Sequence, residues 1–161
     1  MTWSDGTLTA LALLAIAGVR PVTAQDAQSR LWEASIAGDT AAIRKAVADG
    51  AKVDSLDVRR SRNGRRPLNW AALQNHPAAI DLLLALGAPL EAENLTGFTA
   101  LNHAAEAGAL EATRALLAAG ADVEHANKDG FRPVDTARAQ GYGSVVALLE
   151  AAERGERPKK E

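Results

Sequence analysis

The sequence predicts an all-α solenoid of about four helix-turn-helix units, with the outer two acting as caps. Three observations predict it. Gly64, Gly97 and Gly130 are equally spaced. Leu68, Leu101 and Val134 keep the same interval. The pair Gly87-Ala88 recurs at that interval as Gly120-Ala121, and the step back to Gly50-Ala51 is four longer. A fixed period of about 33 residues marks stacked supersecondary units, each burying its apolar face against the next.

Residues 1–24 read as an export signal. The twelve-residue apolar run Leu8–Val19 is too short to span a bilayer and has the length of a signal-peptide core. The small-residue site Val22-Thr23-Ala24 follows, and cleavage after Ala24 would give a periplasmic or secreted product. Met1–Gly6 holds Asp5 and no Lys or Arg, whereas export signals open with positive charge. A misassigned start, or a buried helix leading into the first unit of a cytoplasmic protein, are the alternatives.

The repeat domain runs over 25–152. Its first unit, about 28–55, keeps Leu31-Trp-Glu-Ala-Ser-Ile-Ala-Gly38 and lacks the leading glycine turn. A basic finger is inserted near 56–63. The second unit is about 61–93, the third 94–126 and the fourth 127–152. Within a unit, Thr99 is a good N-cap, and Pro67 and Pro133 sit at the first helical position, where a missing N–H costs nothing. Gly108 ends a first helix and Gly120 a second. Gly38, Asn75 and Gly141 occupy the matching inner turns, since Asn is the next-best left-handed residue. Ala71-Ala72 and Ala104-Ala105 permit close helix approach. Leu82, Leu83, Leu116, Leu117, Leu148 and Leu149 form the core of the second helices. Arg138 replaces an alanine of the middle units, as expected of an end unit with one open face. The tail 153–161 is charged, holds no apolar residue to bury, and reads as disordered.

The unit resembles the ankyrin repeat, whose pattern is Gly-x-Thr-Pro-Leu-His-x-Ala-Ala-x-x-Gly with a later Leu-Leu-x-x-Gly-Ala. The matching stretches are Gly64-Arg-Arg-Pro-Leu-Asn-Trp-Ala-Ala-Leu-Gln-Asn75, Gly97-Phe-Thr-Ala-Leu-Asn-His-Ala-Ala-Glu-Ala-Gly108 and Gly130-Phe-Arg-Pro-Val-Asp-Thr-Ala-Arg-Ala-Gln-Gly141. The resemblance covers about residues 28 to 152. Asn69, Asn102 and Asp135 replace the family's histidine and can still hydrogen-bond turn backbone. The family's threonine survives only as Thr99; with Arg66 and Arg132 in its place, two caps should be weaker. The resemblance implies a protein-binding module working through finger loops and a concave groove.

Composition sets further bounds. The 161 residues fit one domain, and a net charge of −2 argues neither for nor against nucleic acid. With no cysteine, disulfides, thiol catalysis and an N-terminal lipid anchor through cysteine are excluded. No transmembrane segment, cofactor or small-molecule substrate is expected, and the chain reads as a monomer.

Candidate partner-binding residues fall in two sets. The finger carries Arg59, Arg60, Arg62, Arg65 and Arg66 against Asp57, a local charge of +4. Guanidiniums suit carboxylate or phosphate, so a partner with an acidic surface is expected. Mutual repulsion in a solvated loop is the plainer reading. No aromatic residue interleaves the arginines, which argues against nucleic acid. The second set lies in repeat-aligned columns. Arg65, Phe98 and Phe131 share one turn position that faces solvent. Glu33, Trp70, His103 and Thr136 share the next, with Leu73 and Glu106 beyond. Trp70, Phe98 and Phe131 are the expected apolar anchors, with burial between units as the competing reading for Trp70.

His76, His103 and His125 lack metal-site spacing, the serines lack a nucleophile context, and no catalytic residue is assigned. The expected function is a non-enzymatic adaptor or inhibitor of a folded partner. The alternative is a binder of anionic surfaces, namely lipid phosphate, polyphosphate or nucleic acid, through the arginine finger.

Overall fold

The structure is a computed structural model and describes residues 22–60 and 62–159. The expected export signal lies almost wholly outside the described residues. Among those described, eight helices follow one another in pairs: α1 Ala24–Ala37, α2 Thr40–Ala48, α3 Pro67–Leu73, α4 Pro77–Ala85, α5 Ala100–Ala107, α6 Leu110–Ala118, α7 Pro133–Gln140 and α8 Gly143–Glu153. The first helices (α1, α3, α5, α7) stack in one layer and the second helices (α2, α4, α6, α8) in another. This is an all-α repeat solenoid.

Small residues set the layer spacing. Ala71, Ala72, Ala104 and Ala105 are fully buried between neighbouring first helices. In the second layer Leu83, Leu116 and Leu149 stand one repeat apart and are fully buried. Each such leucine contributes on the order of 2 kcal/mol of burial. Leu148 is only half-buried, as is Ala115 at the equivalent position one unit earlier. Among the described residues, Ala34, Ala37, Ala42 and Ala46 of α1 and α2 line a groove on the outer side of the first unit.

The caps behave as their residues dictate. The Thr99 hydroxyl accepts from the Asn102 backbone N–H, and Asn102 Oδ1 accepts from the Thr99 N–H at 2.9 Å. Asn69 and Asp135 make the same return bond, to Arg66 N at 2.8 Å and to Arg132 N at 3.1 Å. Arginine has no acceptor, so α3 and α7 have only this half of the capping box. Thr23 caps α1 in a full box with Asp26, so cleavage after Ala24 would remove that cap.

The inner turn of the second unit needs a left-handed residue, and Asn75 takes it at φ 58°. Its side chain also reaches the following unit: Oδ1 accepts from Ala112 N at 2.8 Å, in the first turn of α6. Ala109, the N-cap of α6, supplies no side-chain bond, so the cap comes from the preceding repeat.

The described part of the tail, residues 153–159, makes contacts with the last two units. Glu153 closes α8 and pairs with Arg132 at 3.3 Å. Gly155 turns the chain in the left-handed region, and the Arg157 guanidinium donates to the Ala121 carbonyl at 2.8 Å. Backbone acceptors at the unit's edge thus hold a segment with nothing apolar to bury.

Candidate functional site

The loops between units form one edge of the solenoid and are stitched together by their backbones. Leu95 N donates to Asn63 O at 2.8 Å, and Lys128 N to Thr96 O at 3.2 Å. Each loop is closed on itself as well. Asp57 pairs with Arg65 as an antiparallel bridge, N to O at 2.7 and 3.1 Å. Asn94 N donates to Phe98 O, and Asn127 N to Phe131 O. Asp57, Asn94 and Asn127 are therefore equivalent, and the first loop spans eight residues where the others span four. The four-residue insertion lies inside that bridge.

Asn94 and Asn127 hold their loops with one side-chain oxygen. Asn94 Oδ1 accepts from the backbone N–H groups of Thr96 and Phe98, both at 2.9 Å. Asn127 Oδ1 does the same for Asp129 and Phe131 at 3.0 Å. In the longer loop an aspartate stands here, fully buried. Arg59, from the insertion itself, supplies the missing donors: its backbone N–H at 3.1 Å, Nε at 2.8 Å and Nη2 at 3.0 Å. Burial pushes the Asp57 carboxyl up, but the Arg59 hydrogen bonds and charge outweigh it and hold the group below the ordinary carboxylate range.

Three of the five finger guanidiniums are engaged within the protein. Arg59 stacks over Trp32 at 4.5 Å and shares Glu33 with Arg60, whose Nη2 lies 2.7 Å from Glu33 Oε2. Arg66 donates to the carbonyls of Glu93 and Asp54. Arg62, at the tip, has no side-chain partner among the described residues, and neither does the Arg65 guanidinium apart from its stack on Trp70 at 4.7 Å. Glu33 lowers the local charge of the finger by one further unit, because the insertion folds back onto α1.

The aligned columns make pairs that repeat from unit to unit. Arg65 lies over Trp70, and one unit on Phe98 lies against His103, with ring centroids 5.2 Å apart. In the last unit the pair is Phe131 and Thr136. A threonine offers no ring to cover Phe131, which stays 55% exposed. Phe98, expected at a solvent-facing turn position, is half-buried on His103. Trp70, expected in the groove as an anchor, is only 6% exposed, sealed beneath Arg65. Its buried Nε1–H lies near the Asp57 carboxylate and helps lower it. Leu73 and Glu106 are half-exposed at the ends of α3 and α5.

His103 is 2% exposed and doubly engaged: Nδ1 with Glu106 Oε2 at 3.1 Å, Nε2 with Asn94 Nδ2 at 3.4 Å. The Asn94 amide donates and the Glu106 carboxylate accepts, which fixes a neutral imidazole with its proton on Nδ1. Burial pushes the imidazole below its ordinary value, against the pull of Glu106. Glu106 is itself lowered, by the His103 hydrogen bond first and by the charge of Arg65 as well. The pair serves the loop scaffold.

Five positions escape the sequence reading. Asn94 and Asn127 stand one period apart, so the repeat alone could have found them. Val58 and Leu95 each follow the equivalent turn residue and are 59% and 50% exposed at adjacent loop tips. Trp32 anchors the inserted loop, since its Nε1 donates to Ser55 O at 3.0 Å, a long-range contact with no local signal.

Among the described residues no group of acidic or histidine side chains could hold a metal, and no helix is long and apolar enough to cross a membrane. Family models of the ankyrin repeat match residues 96–128 and residues 63–92. These are the third and second units, with their left-handed glycines at 97 and 64. Ankyrin repeats are in general protein-interaction modules and typically lack enzymatic activity. Two of the stacked helix pairs thus match the ankyrin repeat, and the fold is an all-α repeat solenoid.

Proposed function

We propose that the chain is an adaptor or inhibitor that holds a folded protein partner against its loop edge and the adjoining face of the first helices. One observation carries this reading. The large apolar side chains left exposed among the described residues are Val22, Val58, Leu95, Phe131 and Tyr142, and three of these five lie in the inter-unit loops. Burying the exposed half of each loop residue would stabilise it by about 1 kcal/mol, yet the scaffold leaves all three in solvent on one edge. The hydrogen bonds between neighbouring loops keep that edge pre-organised, which lowers the ordering cost of binding. Binding of generic polyanions is less favoured, because Arg59, Arg60 and Arg66 are engaged within the protein.

The test places a photo-crosslinking amino acid at Leu95 or Phe131 and, as a control, at Arg114 on the opposite layer. The expected result is one discrete cross-linked protein from the first two positions and none from the third. Equal patterns from all three, or none from any, would overturn the reading.

Export is part of the proposal and rests on the apolar run Leu8–Val19. The intact mass of the product in fractionated cells tests it. A chain beginning at Gln25 in the envelope supports export, and a cytoplasmic chain retaining its first residues removes it.

A further inference from the structure

We infer that Arg65 is the carboxylate-binding residue of this surface, and that the partner presents an aspartate or glutamate side chain to it. The inference rests on the protein-binding reading above and names the chemistry of the partner.

Of the five finger arginines, three are engaged by the protein. Arg59 is held by Asp57 and Glu33, Arg60 by Glu33, and Arg66 by two backbone carbonyls. Arg62 sits exposed at the loop tip, with many orientations open to it. Arg65 alone is both fixed and unsatisfied. Its backbone is locked by the bridge to Asp57, and its guanidinium lies over the Trp70 ring at 4.7 Å. Its Nε–H is buried with no acceptor in the protein. That N–H is closed to solvent, so an incoming acceptor meets the outer Nη groups of the guanidinium, which is only partly buried. A planar guanidinium held by stacking has already lost most of the rotamer freedom that a mobile arginine loses on binding.

Charge selects a carboxylate over a phosphate. Arg65 contributes one positive charge; Glu33 and Asp57 offset Arg59 and Arg60, while Arg66 rests on neutral backbone carbonyls. The half-exposed Glu106 carboxylate lies within the electrostatic reach of Arg65. Glu106 repels a phosphate monoester of ~−2 charge more strongly than a single carboxylate, and a single carboxylate matches a single fork. The positions equivalent to Arg65 in the next two units are Phe98 and Phe131, so the acidic contact stands at one end of a row whose other members are aromatic.

The full chain, labelled with nitrogen-15, is titrated with sodium acetate and separately with inorganic phosphate at constant ionic strength. The arginine Nε–H and tryptophan Nε1–H resonances are followed by NMR. Arg65 should shift saturably with acetate, about threefold or more beyond Arg62, and less with phosphate. Arg65→Lys, which keeps charge but loses the fork, should abolish the saturable response while the Trp70 signal stays dispersed. A larger response to phosphate, or an Arg65 that moves no more than Arg62, overturns the assignment in the unmodified chain itself. The cross-linking experiment reads protein capture without regard to charge. A discrete cross-link with a silent Arg65 sinks this inference alone; an acetate-responsive Arg65 without a cross-link sinks the adaptor reading alone.

Discussion

The Asp57 carboxylate is gripped by the Arg59 guanidinium through Nε at 2.8 Å and Nη2 at 3.0 Å, two residues away in the inserted loop. The lengthened loop thus carries its own counter-charge for the buried acid it places at the root. Replacing Arg59 by alanine leaves a buried carboxylate with one backbone donor. Since Arg59 is partly solvated, the expected loss is about 1–3 kcal/mol, less than for a fully buried pair. Asp57→Asn restores the residue found in the next two loops and should cost under about 1 kcal/mol. It should also remove most of the penalty of Arg59→Ala in a double-mutant cycle, read by urea denaturation.

Stability should fall with acid in two stages. His103 is lowered by burial from its ordinary 6.5, so folding favours its neutral form. Its contribution is complete above pH 6.5 and is lost as the pH falls toward the depressed folded value. Asp57 and Glu106 are lowered from 3.8 and 4.5, so their contribution holds above those values and is lost below them. Denaturation midpoints measured across the range from neutral to acid should show both declines. His103→Asn should flatten the first, and an unchanged first decline would refute this assignment.

Asn75 combines a left-handed backbone with a cap for the following repeat. Asn75→Ala should cost about 1–2 kcal/mol, losing the cap and straining the turn. Asn75→Gly loses the same bond but relieves the φ, so it should cost about half as much. Equal losses for the two variants would show that the cross-repeat bond carries the whole effect.

Gly108 and Gly120 separate backbone strain from steric clash. Both have positive φ, 66° and 96°. A Cβ at Gly108 would meet the Tyr142 ring at 2.7 Å, whereas at Gly120 nothing lies within 4 Å. Gly120→Ala should cost about 1 kcal/mol from conformation alone, and Gly108→Ala about 1–3 kcal/mol more. Tyr142→Ala should recover that excess in the Gly108 variant and do nothing for the Gly120 variant.

Trp70 and Phe131 should separate packing from recognition. Trp70→Ala empties a buried site and should cost about 3–5 kcal/mol. Phe131→Ala should leave the thermal midpoint nearly unchanged, within about 0.5 kcal/mol, while weakening capture at the loop edge. Thermal melts of both variants, beside the cross-linking yield for Phe131→Ala, check this.

The repeat could be read from the chain alone. Its period, the glycines of the turns, Pro67 and Pro133, and the return bonds of Asn69, Asn102 and Asp135 are all local rules, satisfied within a few residues of chain. They were legible because each turn or cap answers to its own backbone. The fate of the candidate site was settled in three dimensions. Whether an arginine is available depends on acids brought from elsewhere: Glu33 reaches Arg60 across 27 residues and Arg66 finds the Glu93 carbonyl at the same separation. Whether an aromatic is exposed depends on its partner in the adjoining column: His103 half-covers Phe98, while Thr136 leaves Phe131 open. Charge pairing and burial are set by distances in space, and a basic run or an aligned aromatic in the sequence does not contain those distances.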